Sequence, residues 1–463
     1  MFTNDKFIPF NFNMPIYNWF YPVSFKEIDI DRQTIESILS QDVERVSNRS
    51  LYFHIPFCQD ICSFCPFTRE VLHDEKILDR YVDALISEIQ FKAKFMYVSN
   101  KPITSIFFGG GTPSIMKPSH IKMIGQAIKD NFDLSELKEF SFEMNAKTAT
   151  IDRISALKEI GVTHGRMGVQ TFNPEYRDIF KLTATIENIY DGAKLLNNNF
   201  DYVCIDMLYG MHGQTLGDII KDLKQARQLG TSHMDVYPIN NGVIQKSLQD
   251  EYTKKHYTVT NGLNKYLYNV AIYEYLDKNG FKPHNGHGYY RCSDNSSSGD
   301  FVNDKYTFQY HESVYGYAGH EVIAFGAVGY SVLNEYVISN QANIKKYIDI
   351  LEKGELPIAG IGVYPKSLTE IRGIVLHLPY HGVAYKDKIN FQYINDELSS
   401  KIKQLIDAEM VVEHEDRIAL TKLGWYNYVN LLYFLSPESE QDALMKYVRN
   451  ANVYNEYISN LDF

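Results

Sequence analysis

The stretch LYFHIPFCQDICSFC, Leu51–Cys65, joins a β-rich run to three cysteines, Cys58, Cys62 and Cys65, spaced Cys-x3-Cys-x2-Cys. Leu51–Phe57 predicts a strand, and Pro56 ends it as the loop begins. Three thiolates can each take one iron of a cubane 4Fe–4S cluster, leaving the fourth iron open to a small ligand that it can pass an electron. Structural zinc is the competing reading, but it takes four ligands in separated pairs, and no second pair with suitable spacing follows. His54 could be offered as a fourth ligand, yet it lies on the predicted strand between apolar neighbours. The chain holds five cysteines, and an odd number so clustered speaks for metal ligation rather than a secreted disulfide framework. Of the other two, Cys204 reads as a small buried hydrophobe in an apolar strand, and Cys292 lies in a polar loop.

Working outward, β-rich runs alternate with amphipathic stretches. Strands are predicted at Leu51–Phe57, Ile103–Phe108, Phe140–Met144, Arg166–Val169, Tyr202–Met207 and His233–Pro238. Helices are predicted at Glu75–Met96, Ser119–Asn131, Ile151–Ile160, Ile186–Asn197 and Leu216–Leu229; in the first, Ile77, Leu78, Tyr81, Val82, Leu85, Ile86 and Ile89 recur at helical spacing. Such alternation implies an α/β fold of parallel βα units, either an open doubly wound sheet or a complete or partial barrel. Both put the carboxyl ends of the strands, where the polar motifs cluster, on one ligand-binding face.

The organisation expected is an N-terminal extension (1–50), a core (51–245), an extension and lid region (246–364) and a C-terminal cap (365–463). His284–Asp300, rich in Gly and Ser, reads as an exposed segment or mobile lid. His284, His287 and His311 are irregularly spaced and read as a solvated histidine-rich loop rather than a metal site. A helix over Tyr393–Asp407, an alternating pair around Met410–Leu420 and a helix from Lys422 to Phe434 suggest a small winged-helix-like module acting as a cap.

Composition narrows the function. Over 463 residues, 44% hydrophobic and 22% charged is ordinary globular usage, and there is room for a barrel-sized domain with accessory pieces. A formal charge of −11 with no basic block argues against a nucleic-acid partner. No apolar run is long enough to span a bilayer, and Phe7–Phe25, broken by Pro9, Pro15 and Pro22, lacks the features of a signal peptide. A cytoplasmic location and no membrane contact are expected. The 35 Tyr and 27 Phe fit either a wall for a flat ligand or a Tyr-rich surface.

Leu51–Cys65 resembles the signature of radical S-adenosyl-L-methionine (SAM) enzymes, and its His-Ile-Pro-Phe-Cys lead-in, His54–Cys58, is similar to that of the branch related to oxygen-independent coproporphyrinogen oxidase. The resemblance runs from about residue 50 to 245. It implies a partial (β/α)6 TIM-like barrel whose cluster, on Cys58, Cys62 and Cys65, binds SAM and cleaves it to methionine and a 5′-deoxyadenosyl radical. An external donor such as flavodoxin or ferredoxin would supply the electron, and the chain is expected to act as a monomer on a small planar substrate.

Further motifs carry the resemblance residue by residue. The glycine run Gly109–Pro113 allows close backbone approach to a ligand, its N–H groups turned toward a carboxylate or phosphate. Gly110, Gly111 and Thr112 in it match the glycine motif that meets the SAM amino group. Glu143, in Phe140–Asn145, matches a SAM-contacting acid; its bland reading is a cap for the following helix. Phe64, Gln170 and Asp206 match contacts to a second SAM. As a buried carboxylate, Asp206 needs a partner. Tyr52 precedes the lead-in as in the family, Pro238 ends the sixth strand on the cofactor side, and Tyr330 falls in a Gly-rich segment that touches the adenosyl group.

Two departures bear on the reaction. Pro66-Phe67 follows the third cysteine, where coproporphyrinogen oxidases place a further cysteine two residues on. Leu182, beside Lys181, stands where they have an arginine of the second SAM site; an ammonium does not reproduce a planar guanidinium. The resemblance therefore points first to the class C radical SAM methyltransferases and cyclopropanases. A second SAM would give a methyl or methylene group to an sp2 carbon of a planar substrate. An oxidase or anaerobilin-synthase-like tetrapyrrole enzyme, and a non-catalytic haem chaperone, are the alternatives.

Overall fold

The computed structural model describes residues 13–14, 16–17, 19–42, 46–240, 244–292 and 308–450. Six strands, Asn48–Ile55, Ser105–Gly110, Glu139–Asn145, His164–Gln170, Tyr202–Tyr209 and His233–Pro238, each pair in parallel with the next. Their order across the sheet is their order in the chain. With no point at which the winding reverses, the doubly wound alternative is excluded and the curved sheet is of the TIM-barrel type. A seventh parallel strand, His320–Phe325, joins the free side of the first. Antiparallel strands extend both edges, and among the described residues the edges of the 13-stranded sheet do not pair with each other, so the barrel is partial.

Alternation along each strand sorts the side chains. Leu51, Phe53, Ile55, Ile106, Phe108, Phe140 and Phe142 are buried against the covering helices, and Phe53 stacks between Phe108 and Phe325 at 4.6 and 4.9 Å. Each such side chain stabilises the fold by roughly 1.5–3 kcal/mol. The intervening residues, among them Tyr52, His54, Phe107, Glu143, Arg166, Asp206 and Asp235, face inward. The helices lie where the periodicity puts them: Glu75–Lys92, Pro118–Asn131, Ile151–Ile160, Ile186–Asn197 and Leu216–Gln228. Asp74 caps the first through the Lys76 N–H, and Tyr81 on that helix donates to the carbonyl of His54 at 2.8 Å, tying it to the strand that leads into the cysteines.

The seventh strand is anchored by buried charges. Arg49 on the first strand pairs with Glu321 at 2.9 Å, and Lys92 reaches both Glu88 and the carbonyl of Ala324. In the C-terminal part, the helix Asp396–Asp407, the strands Val411–Glu413 and Arg417–Leu420, and the helices Lys422–Tyr426 and Tyr428–Leu435 follow the order expected of the module. A short strand, Val383–Tyr385, completes its three-stranded sheet.

One expectation is corrected. His284–Arg291 is not an exposed lid: Gly288–Arg291 pairs antiparallel with the sixth strand, and Asn285 makes the turn by accepting from the N–H groups of His287 and Gly288. His284, His287 and His311 are buried, not solvated. Gly and small polar residues look like a loop, yet sheet pairing satisfies this backbone. The remainder of the expected lid, 293–300, lies outside the described residues, as do residues 1–12 of the N-terminal extension and 451–463 of the cap. No helix among the described residues is long and apolar enough to cross a membrane.

Candidate functional site

The first strand ends into the cysteine loop, and the second ends into the glycine run packed against it. The Gly111 N–H donates to the Ile55 carbonyl and the Thr112 N–H to that of Phe57, both at 2.8 Å. A Cβ on Gly111 would stand 2.7 Å from the Phe57 carbonyl oxygen and 3.0 Å from the sulfur of Cys58. The obstruction includes backbone, so only glycine fits. Gly110 has φ +113°, which glycine alone adopts easily, and a Cβ there would meet the His54 ring. The Gly111 and Thr112 N–H groups thus serve the chain itself, while that of Gly110 faces the Glu143 carboxyl, and the run comes into close approach with the cysteine loop.

All three cysteines are unpaired thiols, with Cys58 buried and Cys62 and Cys65 half-buried. Burial raises each thiol's pKa; for Cys62, burial and then the neighbouring Cys65 and Cys58 push it to about 12. Three soft donors on one loop, of which Cys58 opposes the ionisation of both Cys62 and Cys65, are suited to a cationic group that they share, and binding it would release their protons. The donor set fits a cubane cluster held on three sides. His54 is not a fourth ligand: its ring nitrogens meet the Tyr52 hydroxyl at 3.0 Å and the Thr68 carbonyl at 3.1 Å.

Beneath this loop the barrel interior is charged. Arg166, on the fourth strand, reaches Asp206 on the fifth at 3.2 Å and Asp235 on the sixth at 2.5 Å, and its guanidinium lies 4.5 Å from the ring centre of Phe308. Tyr237 also donates to Asp235, at 3.1 Å. One cation thus serves two carboxylates. For Asp235 burial is the largest single influence, but Arg166 together with His287, His284 and His311 outweighs it and holds the carboxyl below the usual range; for Asp206 burial wins over Arg166 and the carboxyl rises to about 6. Burial, and then the charge of Asp206, raise Glu143 to about 8. Glu143 caps no helix; it leans on the glycine run, with an oxygen 3.2 Å from where a Gly109 Cβ would stand. Cys204 is buried as expected, but among charged neighbours.

A cleft beside the cysteine loop is lined by Asp60, Cys62, Thr112, Asn145, Gly168 and Leu182, among others. Gln170, whose amide nitrogen lies 2.8 Å from where a Cβ on Gly168 of that lining would stand, sits on a strand irregularity with φ +71°. Phe64 packs on Phe180 at 5.0 Å, in an apolar cluster that Leu182 adjoins. Tyr52 stacks with Phe107 and Tyr310 inside the barrel. The structure therefore gathers Tyr52, Phe64, Gly110, Gly111, Thr112, Glu143, Gln170 and Asp206 around or below the cysteines. Pro238 instead lines a separate groove with Tyr17, Lys265 and Tyr428, and the ring of Tyr330 packs on Phe20 at 4.9 Å. Sequence reasoning missed Arg166, Asp235 and Tyr237 as site residues. The available signal was a charge at alternate positions of otherwise apolar strands.

Comparison with known proteins adds three findings. Residues 52–226 match the Radical SAM superfamily. Among curated proteins, the heme chaperone HemW of Lactococcus lactis is 28% identical over 61% of this chain and 69% of its own. Anaerobilin synthase of Escherichia coli O157:H7 is 25% identical over 70% of each chain, and oxygen-independent coproporphyrinogen III oxidase of E. coli K12 is 29% identical over 49% of each. The chain thus spans half to seven-tenths of these relatives. The solved structure of the E. coli coproporphyrinogen III oxidase HemN, a radical SAM enzyme, superposes with a TM-score of 0.73 over 90% of this chain and 96% of its own; at 20% identity the likeness is one of fold.

Proposed function

We propose that this chain, which carries a radical SAM domain and belongs with the oxygen-independent coproporphyrinogen oxidase-like branch, cleaves SAM reductively and directs the radical at a planar substrate of the tetrapyrrole class. The observation that carries the reading is the set of three unpaired thiols, braced by the glycine run, over an interior with aromatic walls and one shared cation. When bound, the cluster supplies an electron and SAM supplies the 5′-deoxyadenosyl radical.

The chain's own residues have the following parts. Gly110 and Gly111 offer carbonyl oxygens, and Glu143 a carboxyl, to the methionyl ammonium of SAM. Glu143 is mostly protonated near neutral pH, and a cation beside it would favour loss of that proton. Thr112, donating to the Cys58 sulfur at 3.5 Å, steadies the thiolate. Arg166 holds Asp206 in place below the cleft, and the stacked rings of Tyr52, Phe107 and Tyr310 form an aromatic wall of the interior. A flavodoxin or ferredoxin is the proposed electron donor. The chain is proposed to act as a monomer. The tetrapyrrole class is supported by the relatives, whose names include a heme chaperone, an anaerobilin synthase and a coproporphyrinogen oxidase.

Methyl transfer from a second SAM, the first expectation from sequence, becomes the second reading. Gln170 beside the cleft favours it. Against it, Leu182 adjoins an apolar cluster, Asp206 is committed to Arg166, and the relatives reported above give it no support. The test is anaerobic incubation of the reconstituted chain with methyl-labelled SAM and a panel of haem and porphyrinogens. The reading expects 5′-deoxyadenosine whose formation depends on one of these substrates. S-adenosylhomocysteine together with label in the product would establish the second reading. Haem binding without SAM cleavage would establish the chaperone alternative and overturn both.

A further inference from the structure

Away from the cysteines, a second group of donors lies between the barrel and the C-terminal module. Ligand atoms of Glu312, His377 and His381 all lie within 4.8 Å of one another. His377 and His381 are one turn apart on the chain segment Gly373–His381, which puts both rings on the same side. Glu312 comes from the helix Gln309–Val314, packed against the first and seventh core strands.

The two histidines are oriented as metal ligands are. His377 meets the Val383 carbonyl at 2.7 Å through Nδ1, which fixes its tautomer and turns Nε2 toward Glu312, 3.0 Å from Oε2. His381 is held by the backbone of His311, and its Nε2 is buried without a hydrogen-bond partner. A buried imidazole nitrogen left so is costly unless something accepts its lone pair or its proton. The turn ending on His377 is π-helical, a geometry that recurs at functional sites. Glu312 keeps 18% of its side chain exposed, which gives an ion a way in.

We propose that Glu312, His377 and His381 bind a divalent transition-metal ion of the zinc class, separate from the cysteine cluster, which staples the C-terminal module to the barrel. Two imidazoles and one carboxylate suit a borderline cation and leave a coordination position open. The ion would also steady His311 and Tyr310, neighbours of Glu312 in sequence; Tyr310 stacks on Phe107 at 4.4 Å inside the barrel.

The test uses the full chain with its cysteine cluster already assembled. Zinc is titrated, the excess removed, the retained metal counted by mass spectrometry and its neighbours read by X-ray absorption at the zinc edge. One zinc per chain, with a nitrogen and oxygen shell bearing imidazole scattering, is expected. In His381→Gln and Glu312→Gln, zinc affinity should fall at least about 100-fold, since even outer partners of a metal site are worth 10–100-fold, with iron content and circular dichroism unchanged. No retained zinc, a sulfur-containing shell, or wild-type affinity in both variants would overturn the proposal. Should the variants misfold, the wild-type absorption shell still decides.

Discussion

Replacing Arg166 by Met removes the guanidinium shared by Asp206 and Asp235 while keeping an apolar stem against Phe308. Arg166 and Asp235 are buried, with side-chain exposures of 6% and 1%, so solvent cannot replace the guanidinium at Asp235, whereas Asp206 keeps 19% of its side chain exposed. Breaking a buried pair from one side costs about 3–5 kcal/mol. With an unfolding entropy of ~2.1 cal/mol/K per residue, a chain of this length changes Tm by roughly 1 °C per kcal/mol, so a loss of about 3–5 °C is expected near neutral pH. The sign with pH follows from the carboxyls. In the wild type, Asp235 is held below its unfolded value, against burial, by Arg166 together with His287, His284 and His311, and stabilises the fold above that value. In the variant both carboxyls sit above their unfolded values, so the penalty exists at high pH and fades as pH falls through the raised folded values. Thermal scans of the cluster-free chain at about pH 7.5 and about pH 5.5 should show a deficit that shrinks with acid. Arg166→Met with Asp235→Asn should recover part of the loss even at the higher pH. A deficit equal at both pH values and untouched by Asp235→Asn would refute the reasoning.

Other outcomes are open to measurement. Cys58→Ala, Cys62→Ala or Cys65→Ala should abolish the about four irons and four sulfides that an open cubane requires, together with SAM cleavage, as read by iron and sulfide analysis. Gly111→Ala should cost about 1–3 kcal/mol through the clash with the Phe57 carbonyl and lower iron incorporation more than far-ultraviolet circular dichroism; normal iron loading would remove the proposed bracing. Because the carboxyl of Glu143 is raised to about 8, its contribution to the cluster-free chain is fully present below its unfolded value and is lost as pH rises through 8. Glu143→Gln should remove that slope from a plot of Tm against pH and weaken SAM in equilibrium dialysis; an unchanged slope would show the carboxyl ionised throughout.

The elements most legible in the sequence were those whose physics is local. The helix Ile151–Ile160 was placed to the residue because its apolar face repeats and Gly161 ends it in the left-handed conformation. The cysteine spacing named the donor set before any geometry was known. His320–Phe325 escaped notice as a seventh strand because its partner, the first strand, lies some 270 residues earlier, and nothing local records such a pairing. Gly288–Arg291 was read as a loop for the same reason: its hydrogen bonds go to the sixth strand. Arg166 was included as the start of a strand but not as a charge, since its meaning depends on Asp206 and Asp235 arriving beside it from two further strands. Leu182 was singled out as a departure on resemblance alone, and its place beside the apolar cluster with Phe64 and Phe180 could be seen only in three dimensions.

The pairing of His320–Phe325 with the strand that leads into the cysteines also sets a schedule for making the protein. While the chain emerges from a ribosome, the strand Asn48–Ile55 that leads into Cys58 has a neighbour on one side as soon as Ser105–Gly110 appears, but its other edge stays bare until residue 325 has been synthesised. At about 5–20 residues per second that interval is roughly 13–50 s, during which three reduced thiols and an unpaired strand edge are exposed together. Iron delivery is therefore best timed after the second half of the chain has closed that edge, and a fragment ending with the radical SAM match at residue 226 would hold the cysteines on an unfinished sheet.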